Sequence, residues 1–207
     1  LTQRQTVLVA KQAAEVDIMT EGHFRLGVGI GWNNVEYQAL GEDFTTRGVR
    51  SEEQVELMRA LWTQPSITFN GKWHQIDAAG INPLPVQRPI PVWFGGASDA
   101  VLKRTARMGD GWITSPQVQT YEANRAMLDR LYGFAEEVGR DPASIGIKGR
   151  IELVDHPTER DVLKAYPERH DLGVDIVTLS TRAVGLDSPQ QQMDALKKYM
   201  GLSTNLS

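Results

Sequence analysis

The sequence of 207 residues contains no cysteine, which excludes disulfides and cysteine-ligated zinc and makes a reducing cytoplasm the expected compartment. It also contains no apolar run that approaches the roughly 20 residues needed to span a membrane. Positive charge is not in surplus either, because the formal net charge is −4 at pH 7. The phosphate backbone of a nucleic acid is therefore an unexpected partner.

The composition is that of an ordinary globular protein, with 41% hydrophobic and 23% charged residues, and the chain is long enough to bury a sizeable core. We find no internal repeat and no linker, so we predict a single domain over residues 1–207. The four histidines are scattered and none has a ligand-like partner two to four residues away, so we predict no metal site.

Hydrophobic periodicity predicts that helices and strands alternate along the chain. An Asn70-Gly71 pair between two alternating runs predicts a β-hairpin. Ser98 is the expected N-cap of the helix that follows it. Strict alternation is typical of a parallel sheet with helical crossovers. We expect helices at 6–19, 50–63, 99–108, 121–138, 157–169 and 189–200, with five alternating strands at 24–28, 92–94, 111–114, 145–154 and 173–180.

The stretch FRLGVGIGWNN, at 24–34, places Phe24, Leu26, Val28 and Ile30 on one face of a strand and Arg25 with three glycines on the other. It matches the dinucleotide-binding pattern GxGxxG except at its last position, where an asparagine replaces the glycine that allows close helix packing, so we disfavour a Rossmann loop. In a barrel, the apolar face would contact the helices and the glycine face would border a hollow near the carboxyl end. Alternatively, the glycines only relieve crowding in a packed barrel.

The strand at 145–154 poses a similar choice. Lys148, Arg150 and Glu152 share one of its faces, opposite Ile147 and Ile151. Three charges on a central strand would need water or a ligand, because unpaired buried charge is costly. Alternatively, this is a solvated edge strand.

Three segments, at 5–22, 23–63 and 82–113, together resemble the luciferase-like monooxygenase family, and most closely its branch of deazaflavin (F420)-dependent oxidoreductases. The resemblance implies an α/β fold, a (β/α)8 TIM barrel with an inserted β-hairpin. It aligns the start of the chain just after the third strand of the family. We therefore expect a partial barrel of about five C-terminal βα units, with the first three strands absent.

The resemblance also implies where the cofactor, F420 or alternatively FMN, would bind. The turn after the first strand would lie beside the ring of the cofactor. The glycine pair after the second strand would hold a phosphate. The end of the third strand would reach the edge of the cofactor. Physical chemistry supports the phosphate loop, since glycines let backbone N–H groups approach an anion and a helix N-terminus is positive; a plain Gly-Gly turn is the alternative. The predicted cofactor-binding residues are Gly29, Gly31, Trp32, Asn33, Glu36, Gly95, Gly96, Ala97, Ser98 and Thr114, with Ser115 next to them.

Two further family motifs are expected to be structural. Asp110-Gly111-Trp112 would form a turn in which the tryptophan packs. Arg47 and Arg50, in an RG-x-R segment, would cap a helix and cover the core, with an anion contact by Arg47 as the alternative.

The resemblance thus implies a bacterial, cytoplasmic oxidoreductase that transfers a hydride between reduced F420 and a small organic substrate. The alternative is an FMN-dependent monooxygenase that uses molecular oxygen. We name no catalytic acid or base, because much of the substrate pocket belongs to the three absent strands. A second copy of the chain is the expected protein partner, and neither nucleic acid nor membrane is expected.

Two other classes of protein compete with an oxidoreductase. The stretch GASDA approximates the nucleophile elbow GxSxG, which would make an esterase with Ser98 as nucleophile, Asp155 or Asp175 as acid, and His156 or His170 as base. A scaffold that has lost its cofactor is the other alternative.

Overall fold

The computed structural model describes residues 1–114, 120–155, 158–182 and 184–203. Seven α-helices and seven strands are described in these ranges, and they alternate as the sequence predicts except at the consecutive helices α2 and α3 and at the hairpin, the pair β2 and β3. The helices are α1 Thr6–Met19, α2 Asn34–Ala39, α3 Arg47–Thr63, α4 Asp99–Met108, α5 Tyr121–Glu137, α6 Glu159–Asp171 and α7 Pro189–Ser203. The strands are β1 Leu26–Val28, β2 Ile67–Asn70, β3 Gln75–Ala79, β4 Val92–Gly95, β5 Gly111–Ile113, β6 Gly146–Glu152 and β7 Ile176–Ser180.

Five strands form one curled parallel sheet in the order β1-β4-β5-β6-β7. The predicted partial TIM barrel is confirmed as a half-barrel of five strands, with β1 and β7 at its two edges. Because β6 pairs on both sides, its interpretation as an edge strand is wrong, and its charged side chains occupy half-buried positions on one face.

The two faces of the sheet differ as the alternation of the first strand predicts. Val28, Phe94, Trp112 and Ile147 are aligned across four strands and are almost fully buried in the hydrophobic core. The concave face carries glycine in the adjoining row. There the indole of Trp93 fills the space over Gly111 and Gly146, where an added Cβ would lie 2.3 Å and 2.6 Å from it.

The predicted hairpin is confirmed, but its turn differs from a two-residue Asn-Gly turn. β2 and β3 are joined by residues 71–74. The carboxylate of Glu53 on α3 accepts hydrogen bonds from the backbone N–H groups of Lys72 and Trp73, at 2.7 Å and 2.8 Å, and contacts Nδ1 of His74 at 2.7 Å. A contact with a distant helix, which local propensity does not encode, thus orders the longer turn.

The core is built in successive layers along the sheet. α1 and α3 pack against β1 and β4, and the indole N–H of Trp62 donates to the carbonyl of Ala10 at 2.9 Å. α4 and α5 cover β5 and β6, and the guanidinium of Arg140 donates to the carbonyl of Gly109 at 2.6 Å, just beyond the end of α4. Among the described helices, none combines the length and apolar character that crossing a membrane requires.

Candidate cofactor site at the carboxyl edge of the half-barrel

The predicted site residues follow β1, β4 and β5. Because these three strands are parallel neighbours, the segments that follow them emerge side by side at one edge of the sheet. The structure therefore brings together Gly29, Gly95 and Thr114, which are far apart in the sequence. This carboxyl edge is where barrel folds place their ligand sites.

Open space borders the concave side of this edge. A Cβ built on Gly29 has no atom within 4 Å, and one built on Gly95 would meet only Cβ of Ile113 at 3.8 Å and the carbonyl oxygen of Val28 at 4.0 Å. Both glycines are thus free of steric crowding, unlike Gly111 beneath Trp93. The alternative that the glycines of the first strand relieve crowding in a packed barrel therefore does not describe Gly29, whereas a Cβ on Gly27 would lie 3.2 Å from Cδ1 of Ile113.

A cavity of about 330 Å³ lies on the same concave face. Lys148 of β6 lines it together with Arg25, and the guanidinium of Arg25 lies 5.5 Å from the centre of the Trp93 ring. Further along β6, Nη1 of Arg150 contacts Glu152 at 3.2 Å. On the charged face of β6, Arg150 and Glu152 therefore pair with each other, whereas Lys148 borders the cavity.

The turn after β1 is fixed by buried hydroxyl groups. The fully buried Tyr37 donates a hydrogen bond to the carbonyl of Ile30, and Thr2 contacts both that carbonyl and the Tyr37 hydroxyl. Gly31 adopts φ +76°, which an L side chain disfavours, and this allows the chain to turn into α2. Trp32 is 86% exposed at the tip, so its indole is free to contact a ligand.

Asn33 and Glu36 form a local network beside this turn. Asn33 is the N-cap of α2, since its side-chain oxygen accepts from the backbone N–H of Val35 at 3.1 Å. Its amide donates to Glu36 at 3.2 Å, and Glu36 also accepts from Gln3 at 2.8 Å. These side chains order the turn between β1 and α2.

The loop after β4 has the geometry of a restrained glycine turn. Gly96 adopts φ +137°, and its carbonyl accepts from the indole N–H of the buried Trp112 at 2.8 Å. The predicted packing role of Trp112 thus extends to holding this loop. Ala97 packs at the rim of the core beneath α4 and α5.

Ser98 occupies the N-cap position of α4, as expected. Its side chain, however, makes no capping hydrogen bond to the helix. Asp99 in the first turn forms an ion pair with Arg130 of α5. Its carboxylate is thereby partly neutralised, which leaves the exposed Ser98 hydroxyl and the start of α4 available to an anion.

Thr114 is 8% exposed at the end of β5, and its backbone N–H donates to the carbonyl of Lys148 at 3.0 Å. Ser115, its predicted companion, lies outside the described residues. Both arginines of the RG-x-R segment contact backbone carbonyls of the protein. Arg47 donates to the carbonyl of Phe44 at 2.7 Å and stacks on its ring, and Arg50 binds the carbonyl of Thr2 and pairs with Glu42.

An esterase triad around Ser98 is not assembled by the described residues. Asp175 lies at the amino end of β7 and accepts from the backbone N–H of Ile147 at 2.6 Å, whereas Ser98 lies at the carboxyl edge. His170 belongs to the last turn of α6, a crossover helix that ends near the same amino end. His156 is outside the described residues.

Sequence reasoning missed the residues that support the site from a distance. Thr2 and Gln3 hold the first turn through contacts with Tyr37 and Glu36, which lie 35 and 33 positions away in the sequence, and periodicity does not reveal such contacts. A buried tyrosine close to a glycine-rich turn is the one local signal that was available.

The parallel half-barrel defines a TIM-barrel fold. The model of the luciferase-like monooxygenase family matches residues 1–199, and the chain belongs to this family.

Two relatives extend this result. The chain is 38% identical over 192 residues to an uncharacterised protein of Mycobacterium bovis, covering 89% of this chain and 65% of the relative. It is 35% identical over 128 residues to an FMNH2-dependent dimethylsulfone monooxygenase of Pseudomonas fluorescens, covering 60% of this chain and 34% of that protein. The chain therefore spans between about a third and two thirds of the length of these curated relatives.

A solved structure confirms the fold. The F420-dependent tetrahydromethanopterin reductase from Methanopyrus kandleri superposes with a TM-score of 0.72, covering 91% of this chain and 76% of that one. At 14% sequence identity, this likeness concerns the fold alone.

Proposed function

We propose that this chain forms the cofactor-binding half of an F420-dependent oxidoreductase that exchanges a hydride with a small organic substrate. The observation that carries the proposal is the open space at Gly29 and Gly95, side by side on the concave face and at the carboxyl edge. Membership of the luciferase-like family supports a redox role. The resemblance of three sequence segments to the F420-dependent branch of that family supports the deazaflavin.

The residues present fit such a group. Gly29 would border the ring, Gly95 would lie between the ring and the phosphate loop, and the exposed Trp32 would cover one side of the ring. The backbone of Gly96 and Ala97 with the Ser98 hydroxyl would hold the phosphate, at the positive end of α4. Thr114 would limit the far side of the site.

When bound, a deazaflavin supplies a carbon centre that gives or takes a hydride. The chain's own contribution is to position that group and to exclude water. Trp93 and Ile113 provide apolar surface on the concave face, and Lys148 provides a positive charge beside them. A fixed cation beside a bound ring favours its more negatively charged form.

FMN is the alternative cofactor, with a monooxygenase as the alternative activity. The 35% identity to an FMNH2-dependent monooxygenase favours it, because that relative is closer in sequence than the F420-dependent structure is. The same hollow and the same phosphate loop would serve either ring.

Titration of the protein with F420 and with FMN, followed by ring fluorescence, tests both possibilities. We expect saturable binding of F420 at micromolar concentrations and weaker binding of FMN. Binding of FMN alone would favour the monooxygenase, and failure of both to bind would refute the proposed function.

A further inference from the structure

A second cavity lies outside the half-barrel, between the first half of α1, α3 and the tip of the hairpin. Its volume is about 830 Å³, and its polar lining includes Arg4, Lys11, Arg50, Gln54 and His74. None of the predicted cofactor-binding residues lines it. This cavity is therefore separate from the candidate cofactor site.

The N-terminus of α1 forms one wall of the cavity and is left without a cap. Gln5 stands at the N-cap position and makes no side-chain capping bond, and the first turn contains no acidic residue. The N–H groups of Thr6, Val7 and Leu8 have no acceptor within the helix, because they lie in its first turn. The positive end of a 14-residue helix thus faces the cavity without a counter-charge from its own first turn.

Two buried side chains on the cavity wall each carry a polar atom without a hydrogen-bond partner. Arg50 is 7% exposed and Gln54 is 2% exposed. Among the described residues, neither Nε of Arg50 nor Oε1 of Gln54 has a partner. Buried polar atoms are normally satisfied, so unpaired atoms at a cavity indicate a missing ligand or water.

The hydrogen bonds around Thr6 fix the orientation of the Gln54 amide. Its Nε2 donates to the backbone carbonyl of Arg4 at 3.2 Å and to the Thr6 hydroxyl at 2.9 Å. A backbone carbonyl only accepts, so the NH2 group must face Arg4. The side-chain oxygen of Gln54 is consequently the atom left over, and only a donor can satisfy it.

The charge of the lining favours an anion. Arg4 is exposed and, within the described residues, forms no side-chain hydrogen bond or ion pair. Lys11 pairs with Glu15 at 3.2 Å and also donates to the carbonyl of Asn82 at 2.6 Å. Glu42, the carboxylate in the lining, is paired with Arg50, so it does not cancel the charge of Arg4.

We propose that this cavity binds a small carboxylate or phosphate that also carries a hydroxyl group. The oxyanion would accept from the first N–H groups of α1 and from Arg4 and Arg50. The hydroxyl group would donate to the side-chain oxygen of Gln54. The proposal does not depend on the cofactor, since none of the predicted cofactor-binding residues lines this cavity.

Titration of the 15N-labelled protein with methyl phosphate, glycerol 3-phosphate and glycerate tests this site. We expect the amide resonances of Thr6, Val7 and Leu8 to shift in a saturable way. The two hydroxylated probes should bind at least fivefold more tightly than methyl phosphate. Comparison of glycerol 3-phosphate with glycerate then shows whether phosphate or carboxylate is preferred.

The variant Arg4→Glu should weaken binding at least tenfold. Arg160→Glu, at an exposed arginine on α6, is the matched control with the same change in net charge, and it should bind as the parent does. Equal affinity in the Arg4→Glu variant and the parent would overturn the proposal. Shifts confined to Gly96, Ala97 and Ser98 would also overturn it, while supporting the phosphate loop of the proposed function.

Discussion

Gly29 provides a test of the ring site that does not disturb the protein itself. A Cβ at this position meets no atom within 4 Å, so Gly29→Val should leave the fold intact and fill only the open space. We expect cofactor affinity to fall at least about tenfold, a loss of about 1.4 kcal/mol, as measured by fluorescence titration. Gly133→Val on α5, where a Cβ is equally free of contacts, is the control. Unchanged affinity in Gly29→Val would show that no ring occupies this hollow.

Gly95 is the better position at which to test the phosphate loop. Gly96 adopts φ +137°, and a Cβ there would lie 3.1 Å from Val101, so any substitution would distort the loop. At Gly95 a side chain fits. A carboxylate within about 6 Å of a phosphate costs about 2.8 kcal/mol at an effective dielectric constant of about 20, so Gly95→Asp should weaken binding about a hundredfold. Gly95→Asn separates size from charge, and equal affinities of the two variants would argue against a phosphate at this loop.

Ser98 illustrates what sequence can reveal about a single residue. Its position before α4 is predictable, because serine before an apolar-periodic segment is a common N-cap. Whether its hydroxyl bonds to the helix depends on a side-chain torsion, and here it does not. We therefore expect Ser98→Ala to change the free energy of unfolding by less than about 0.5 kcal/mol, below the typical cost of about 1 kcal/mol for removing an N-cap, as measured by urea denaturation. A larger loss would indicate that the hydroxyl does cap α4 in solution.

At the scale of elements, Glu53 holds the hairpin through a pH-dependent contact. Burial alone would raise the pKa of Glu53, but hydrogen bonds from His74 and from the N–H groups of Trp73 and Lys72 lower it overall. Folding thus favours the charged carboxylate. The resulting stability is present above the ordinary glutamate pKa of about 4.3 and is lost as the pH falls below it.

We expect Glu53→Gln to destabilise the protein by about 2 kcal/mol at pH 7, the typical value of a hydrogen bond to a charged group. The difference from the parent should shrink as the pH falls below the ordinary glutamate pKa of about 4.3, because the stabilising charge of the parent is lost there. Urea denaturation across this range measures it, with Glu56→Gln, at an exposed glutamate on the same helix, as control. A constant difference at all pH values would contradict the lowered pKa.

Most helices and strands of this chain were predictable from local patterns of apolar residues and from the turn signals between them. α1 begins and ends where predicted, since apolar residues repeat at helical spacing up to the glycine at position 22. The length of the hairpin turn was not predictable, because it depends on a contact with Glu53, about 20 residues away. Local pattern thus predicts where elements occur, and tertiary contacts decide how they are joined.

At the scale of the whole molecule, the number and order of strands follow from their alternation with helices. The curl into a half-barrel does not follow from the pattern, because open and closed parallel sheets share the same alternation. The prediction of a barrel came instead from the family resemblance, and the fold confirms it.

The outer surface of α1 carries apolar residues that a lone molecule would leave in water. Leu8 is 51% exposed and Met19 is 82% exposed, and Ile18 beside it is also exposed. Apolar residues concentrated on one exposed helix indicate a surface that a partner covers.

We therefore expect a homodimer in which α1 is buried, with twice the mass of the chain in light scattering at micromolar concentration. The double variant Ile18→Glu with Met19→Glu should shift the protein to monomers, because charges in an apolar interface are costly to desolvate. Met193→Glu on α7, a methionine that is 51% exposed, should leave the dimer intact. A monomeric parent, or equal dissociation by both variants, would show that α1 is not the contact between subunits.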